Sequence, residues 1–356
     1  MKEKSHNPFH ERKHHHSGHK HRGGKHQHEE RREATGEFLE VKDLHVQYTS
    51  GKQIVKAVNG VSFKLRRGET LGLVGETGAG KTTIAKAILR VLPDPPAKIT
   101  VGEIWLDDEN LLTKSERAML RIRGDKIAMI FRDPMTAPNP LMSVGSQIQE
   151  VIELHNHISS EEAQERTFEM LELVGIPRQR YVEFPHQFSG GMKQRVVIAM
   201  ALACDPDLLL ADEPTTALDV TIQAQVLEMI AELKEKMNSS MILITHDLGV
   251  IAQTCDYVAV VYAGQILESA RKEQLFRHPS HPYTQGLFNS LPKLDDEADR
   301  LTPIPGLPPD PTNLPQGCPF APRCPDACDA CRAGEIPSID IGKGHFVRCL
   351  KYKEEV

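Results

Sequence analysis

Short, unbroken apolar runs alternate with amphipathic stretches along most of this chain. Segments 70–74, 208–211, 241–245 and 257–262 are almost wholly apolar and end at polar or turn-forming residues. Runs of that length predict strands buried on both faces, as in a parallel sheet. Between them, 81–91, 193–204 and roughly 221–237 carry helical periodicity. Three earlier segments, 38–41, 44–48 and 57–63, alternate more and predict short half-buried strands. Residues 134–187 combine helical patterns with the breakers Pro134, Pro138, Pro140 and Pro185. Alternating strands and helices predict an α/β fold with a mainly parallel sheet. No internal repeat is visible.

The ends of the chain break this pattern. Residues 1–36 hold nine of the 17 histidines and almost nothing apolar, so they predict a disordered tail. It reads either as solvated or added sequence, or as a weak ligand for nickel, zinc or copper; the irregular His spacing implies no fixed coordination site. Segment 37–290 is the expected catalytic domain, with a helical subdomain at about 134–192. Segment 291–356 turns rich in Pro and Cys and is expected to be a small appended extension.

Composition narrows the function classes. The chain has 356 residues and 39% apolar content, enough for a packed core. Its longest apolar run, 196–204, is far shorter than the ~20 residues of a membrane span. The N-terminus is polar and charged, so a cytoplasmic chain is expected, with any membrane contact made through a partner. Residues 1–33 carry nine Lys/Arg against five Asp/Glu, whereas the remainder carries 34 against 44. That acidic body argues against a nucleic-acid partner, since phosphate contacts need clustered cations.

The chemistry concentrates in three segments. Gly75-Glu76-Thr77-Gly78-Ala79-Gly80-Lys81-Thr82-Thr83 lies between a strand and a helix. Glycines there let the backbone turn its amides onto phosphate oxygens, Lys81 adds charge at the β/γ-phosphates, and the Thr82 hydroxyl suits Mg²⁺. Asp212 ends an apolar strand, where a carboxylate holds Mg²⁺ through water, and Glu213 follows as the expected base for the attacking water. Ser189, Gly190 and Gly191 precede a helix and form a second anion site, for which the same chain offers no obvious phosphate.

Phosphate loop, Phe188-Ser189-Gly190-Gly191-Met192-Lys193-Gln194-Arg195 and Leu208-Leu209-Leu210-Ala211-Asp212-Glu213, in that order, resemble the ATP-binding cassette (ABC) ATPases. The resemblance implies a P-loop NTPase nucleotide-binding domain with a RecA-like core, an antiparallel β subdomain and a helical subdomain. It implies that Tyr48 stacks on adenine, that His246 contacts the γ-phosphate, and that Ser189, Gly190 and Gly191 meet the nucleotide of an opposing subunit. Ala217, Leu218 and Asp219 would contact that subunit as well. Where the family has Gln after the Ile130-Phe131 pair, this chain has Arg132. A guanidinium has no acceptor and cannot ligate Mg²⁺; it is expected to neutralise γ-phosphate charge instead and to alter hydrolysis or coupling without abolishing ATP binding.

Asp133-Pro134-Met135-Thr136, the run from Thr215 to Gln225, and His281-Pro282-Tyr283-Thr284-Gln285-Gly286-Leu287 resemble the dipeptide/oligopeptide importer branch, close to its D-type subunit. That implies a related F-type ATPase partner, two membrane permeases and an extracytoplasmic solute-binding protein. The chain would then sit peripherally on the cytoplasmic side of the membrane. A nickel or metal-chelate cargo is the alternative. Seven cysteines are present, and five of them, Cys318, Cys324, Cys328, Cys331 and Cys349, fall within 32 residues of the extension. Without an oxidising compartment this points to metal: zinc, an iron–sulfur cluster, or less simply a disulfide or free thiols. Some D-type members carry [4Fe–4S] on four such cysteines, which here implies Cys318, Cys324, Cys331 and Cys349.

Overall fold

The computed structural model describes residues 37–216, 218–290 and 303–353. The histidine-rich tail, and Ala217 of the expected subunit contact, lie outside these. The first sheet is antiparallel. β1 (Glu37–Ser50) pairs with β2 (Gln53–Arg66) on one side. On its other side lies a strand that follows β3 (Thr70–Val74) and α1 (Lys81–Leu89), namely β4 (Ala97–Leu106), extended by β5 (Glu109–Asn110). The two short strands expected at 38–41 and 44–48 are one long strand. A bulge absorbs Lys42 and Asp43, and Asp43 adopts φ 43°. The interruption in polarity is therefore local geometry rather than a strand end.

The second sheet carries the expected parallel core. After α2 (Glu116–Ile122) come β6 (Ile127–Ile130), α3 (Val144–His155), α4 (Ser160–Leu173), α5 (Gly190–Leu202) and β7 (Leu208–Asp212). Then follow α6 (Val220–Lys236), β8 (Ser240–Ile244), α7 (Leu248–Thr254), β9 (Tyr257–Tyr262) and β10 (Gln265–Arg271). β9, β3, β8, β7 and β6 lie side by side and parallel. Every residue of β3, β6, β7 and β8 is buried, which explains their apolar runs, broken only at strand ends by Thr70, Asp212 and Ser240. The two faces belong to two cores: Leu71, Leu73, Ile242 and Ile244 pack toward α1 and the antiparallel sheet, Val74, Met241 and Leu243 toward α5 and α6.

α5 begins at Gly190, three residues earlier than its apolar pattern suggests. Ser189 caps it, accepting the Met192 amide at 3.4 Å. A good cap tolerates glycines in the first turn because the amides there have no intrahelical partner to lose. The C-terminal part contains α8 (Lys272–Arg277), α9 (Pro282–Asn289), α10 (Ala330–Ala333), β11 (Ile339–Asp340) and β12 (Phe346–Val347). β12 pairs antiparallel with β10, so the extension continues the main sheet beyond β9 and β10.

Candidate functional site: a phosphate loop at the carboxyl edge of the sheet

The loop 75–80 joins the end of β3 to the start of α1, the place where an open α/β sheet leaves room for a ligand. Gly75 has φ 149°, and a Cβ there would stand 2.0 Å from the Val261 carbonyl oxygen; at Gly80, φ is 101° and a Cβ would stand 2.4 Å from that of Ala57. Only glycine permits this close threading. Ala79 is buried, whereas Thr77 and Gly78 are exposed at the tip. Lys81 folds back over the loop, its Nζ donating to the carbonyls of Gly75 (2.7 Å) and Glu76 (3.0 Å). Burial depresses its pKa, against the attraction of Glu213 and Asp212. An ammonium held in this way gains stabilisation when an anion enters.

Thr82 Oγ1 donates to Asp212 Oδ1 at 3.0 Å, joining residues 130 positions apart at the edge where β3 and β7 end. Burial pushes the Asp212 carboxyl up. A hydroxyl and a carboxylate in contact beside a phosphate loop are the donor set expected for Mg²⁺. Glu213 sits in the left-handed region at φ 45°, a costly conformation for a side chain with a Cβ. It accepts from Thr216 Oγ1 at 3.0 Å, and His246 Nδ1 lies 3.6 Å from its other oxygen. His246, 71% exposed, follows β8 and leans over the same edge. Tyr48 packs beside the first turn of α1, its hydroxyl 3.4 Å from Thr83 Oγ1.

Arg132 stands beside the expected base. Its Nη2 lies 3.0 Å from Glu213 Oε2, so the guanidinium pairs with the carboxylate. Glu213 is thus held between a permanent cation and an imidazole.

Ser189, Gly190 and Gly191 stand apart from this group. Among the described residues none of them hydrogen-bonds to the phosphate loop; Ser189 is occupied in capping α5, and the glycine amides are first-turn donors. Asp219 caps α6, accepting the Ile222 amide at 3.0 Å. Two residues that sequence reasoning did not connect with the loop do touch it. The Tyr283 hydroxyl accepts the Glu76 amide at 2.9 Å. Arg323 grips the Glu76 carboxylate through Nη1 (2.8 Å) and Nη2 (3.0 Å). Tyr283 belongs to a motif already singled out, but nothing in its spacing reports a contact made 207 positions away.

All five cysteines of the extension line one cavity of about 180 Å³, together with His281, Arg348 and Lys351. Burial raises the thiols of Cys318, to about 11, and of Cys324 and Cys349; Cys328, exposed, is lowered by the backbone amide and thiol of Cys331. Among the described residues no three His, Cys, Asp or Glu side chains converge as ligands of one metal ion.

A phosphate loop, a Thr–Asp pair and a glutamate at adjoining strand ends define an ATP-hydrolysing cassette. Residues 58–216 match the family model described as ABC transporter, and 267–331 match that of the oligopeptide/dipeptide transporter C-terminal region. A dimeric post-hydrolysis state of the ATP-binding cassette MJ0796, bound to ADP and Pi, superposes with a TM-score of 0.60 at 26% identity, covering 66% of this chain and 98% of that one. The oligopeptide transport ATP-binding protein AppD of Bacillus subtilis is 47% identical over 89% of this chain and 97% of its own length. OppD of the same organism is 51% identical over 87% of each, and its dipeptide transport ATP-binding protein DppD is 50% identical over 87% and 93%. The chain belongs to the ABC transporter ATPases, within the oligopeptide/dipeptide transport ATP-binding proteins.

Proposed function

We propose that this chain is the ATPase subunit of a di- or oligopeptide importer. Hydrolysis of ATP at the loop 75–83 drives uptake across the cytoplasmic membrane. The observation that carries this is the Thr82–Asp212 contact beside the glycine loop, in a chain whose relatives are named for oligopeptide and dipeptide transport. Those names give no support to the nickel or metal-chelate alternative. Gly75, Glu76, Thr77, Gly78, Ala79, Gly80, Lys81, Thr82 and Thr83 form the loop that holds the phosphates, Thr82 and Asp212 hold Mg²⁺, and Tyr48 stacks on the base. Glu213 takes the proton of the attacking water and His246 contacts the γ-phosphate. Ser189, Gly190, Gly191 and Asp219 serve a facing subunit, a related F-type ATPase; among the described residues Ser189, Gly190 and Gly191 make no hydrogen bond to the phosphate loop of their own chain.

Among the described residues no helix is long and apolar enough to cross a membrane. In the importer reading, two integral permeases carry the peptide and an extracytoplasmic binding protein delivers it. Single-turnover hydrolysis tests the catalytic half of this reading. Glu213→Gln should bind ATP but hydrolyse it at least ~100-fold more slowly, and Lys81→Ala should lose nucleotide binding. Hydrolysis by Glu213→Gln at the wild-type rate removes Glu213 from its role.

We assign the cysteine cavity to an iron–sulfur cluster rather than a zinc ion, as the resemblance to D-type subunits implies. A zinc tetrathiolate needs sulfurs about 3.8 Å apart around one point, given Zn–S bonds of ~2.3 Å. Cys328 and Cys331 stand 3.5 Å apart, and Cys328 is not one of the four expected ligands. Cys318, Cys324, Cys331 and Cys349, on the cavity's walls, would hold a [4Fe–4S] group, which would give the loop-rich extension a cross-link. Anaerobically purified protein should then contain about four iron atoms per chain and absorb broadly near ~400 nm. Iron-free protein carrying one zinc would overturn the assignment.

A further inference from the structure

We propose that the C-terminal extension is a working part of the nucleotide site, and that Arg323 is the positioning residue through which it acts. The proposal rests on the ATP-site reading above. Arg323 lies between two cysteines of the cavity, in the segment Cys318-Pro319-Phe320-Ala321-Pro322-Arg323-Cys324. Its side chain is only 5% exposed. All five of its N–H donors find acceptors. Nε donates to the Pro305 carbonyl (3.0 Å), Nη1 to Glu76 Oε2 (2.8 Å) and the Tyr262 hydroxyl (3.2 Å), and Nη2 to Glu76 Oε1 (3.0 Å) and the Ile304 carbonyl (3.2 Å). A guanidinium satisfied on every donor has one orientation, and the fork it presents to Glu76 is bidentate.

The second contact fixes the same loop residue from its backbone side. Tyr283 accepts the Glu76 amide, and its ring packs against Tyr262 at 4.5 Å and Phe320 at 5.3 Å between centroids. Side chain and main chain of Glu76 are thereby held by one aromatic and guanidinium cluster, drawn from β9, α9 and the Cys318–Cys324 segment. Glu76 also acts electrostatically on Lys81, the residue that waits for phosphate.

Two consequences follow for a triphosphate entering the loop. A carboxylate at the second loop position repels the incoming anion unless a cation neutralises it, and Arg323 is the cation paired with it. A phosphate loop also binds best when its amides are already aimed, and the Arg323–Glu76–Tyr283 clamp removes freedom from the loop before ligand arrives. The other proposed parts of the site, Lys81, Thr82, Asp212 and Glu213, do none of this. A segment whose two ends line the cysteine cavity therefore sets how tightly the cassette holds ATP.

Charge and order at Glu76 are separable by mutation in the full-length chain. The probe is trinitrophenyl-ATP for affinity, with steady-state ATPase for KM and kcat. Arg323→Ala, which leaves Glu76 charged and unpaired, should weaken nucleotide binding and raise KM by about 10-fold or more, with kcat within about 3-fold of wild type. Arg323→Lys, which keeps the charge and loses the fork, should fall between. Glu76→Gln added to Arg323→Ala removes the orphaned carboxylate and should recover most of the lost affinity, although both changes remove packing contacts. A purely structural role predicts the opposite order, with the double variant at least as weak and the melting temperature following the affinity. Wild-type affinity in Arg323→Ala, or no recovery in the double variant, overturns the proposal. Failure of the wild-type chain to bind nucleotide at all would instead remove the ATP-site reading on which it stands.

Discussion

Arg132→Gln is the substitution whose outcome the geometry fixes most sharply. The Arg132–Glu213 pair is 3.0 Å long, with Glu213 11% exposed and Arg132 53% exposed. At an effective dielectric of about 20, two unit charges at this distance attract by ~5 kcal/mol before desolvation. Half-exposure of the arginine, its side-chain entropy and screening reduce the net value to about 1 kcal/mol. The pair must loosen for Glu213 to reach the attacking water, so that amount adds to the barrier. Removing the cation should therefore raise the basal ATPase kcat about 5-fold. The same reasoning gives a salt signature: between ~0.05 and ~0.5 M salt the Debye length shrinks across the range of the pair. Wild-type turnover should rise with salt while that of Arg132→Gln stays flat. The assay is steady-state phosphate release from the assembled transporter at saturating Mg·ATP. Slower or unchanged turnover in Arg132→Gln, with equal salt response, would refute the idea that Arg132 restrains the base.

Further outcomes follow from the packing. Gly75→Ala places a Cβ 2.0 Å from the Val261 oxygen at a φ of 149°, so it should cost about 2–4 kcal/mol by denaturant unfolding and lose ATP binding together with it. Burial holds the His281 imidazole down at about 4, against the pull of Glu268, while its ring Nδ1 caps α9. A depressed folded pKa means that the unfolded chain binds the proton more readily. The stabilisation is complete above the unfolded pKa of about 6.5 and is lost as pH falls toward 4. Over that window the wild type should lose about 3 kcal/mol more than His281→Asn, measured as unfolding free energy against pH; parallel curves would contradict this. Ser189→Ala should remove a helix cap worth about 1 kcal/mol and lower turnover of the assembled transporter without changing ATP affinity of the isolated chain.

The parts of this molecule that the sequence made legible are those whose physics is local. β3, β7 and β8 announce themselves because a strand buried on both faces must be apolar throughout, and the phosphate loop because its glycines are required by close backbone approach. What was hidden is non-local or short. β11 and β12 are two residues each, too brief for any period to register, yet they tie the extension to the sheet. The bulge at Asp43 looked like a strand end, because polarity reports exposure and not hydrogen bonding. Arg132 was visible as a departure, but its partner was not, since Glu213 becomes its neighbour only when β6 and β7 pair. Arg323 and Glu76 are 247 positions apart, and no spacing rule links them.

Peptide uptake is the direct test of the central claim. In a strain whose own copy of this chain is deleted, accumulation of a labelled di- or oligopeptide is measured after complementation with wild type or Glu213→Gln, with ⁶³Ni accumulation followed in parallel. The account predicts that wild type restores peptide uptake, that Glu213→Gln does not, and that nickel is unaffected by either. Restoration by Glu213→Gln at the wild-type rate, or nickel uptake that follows the complementing chain while peptide uptake does not, would contradict it.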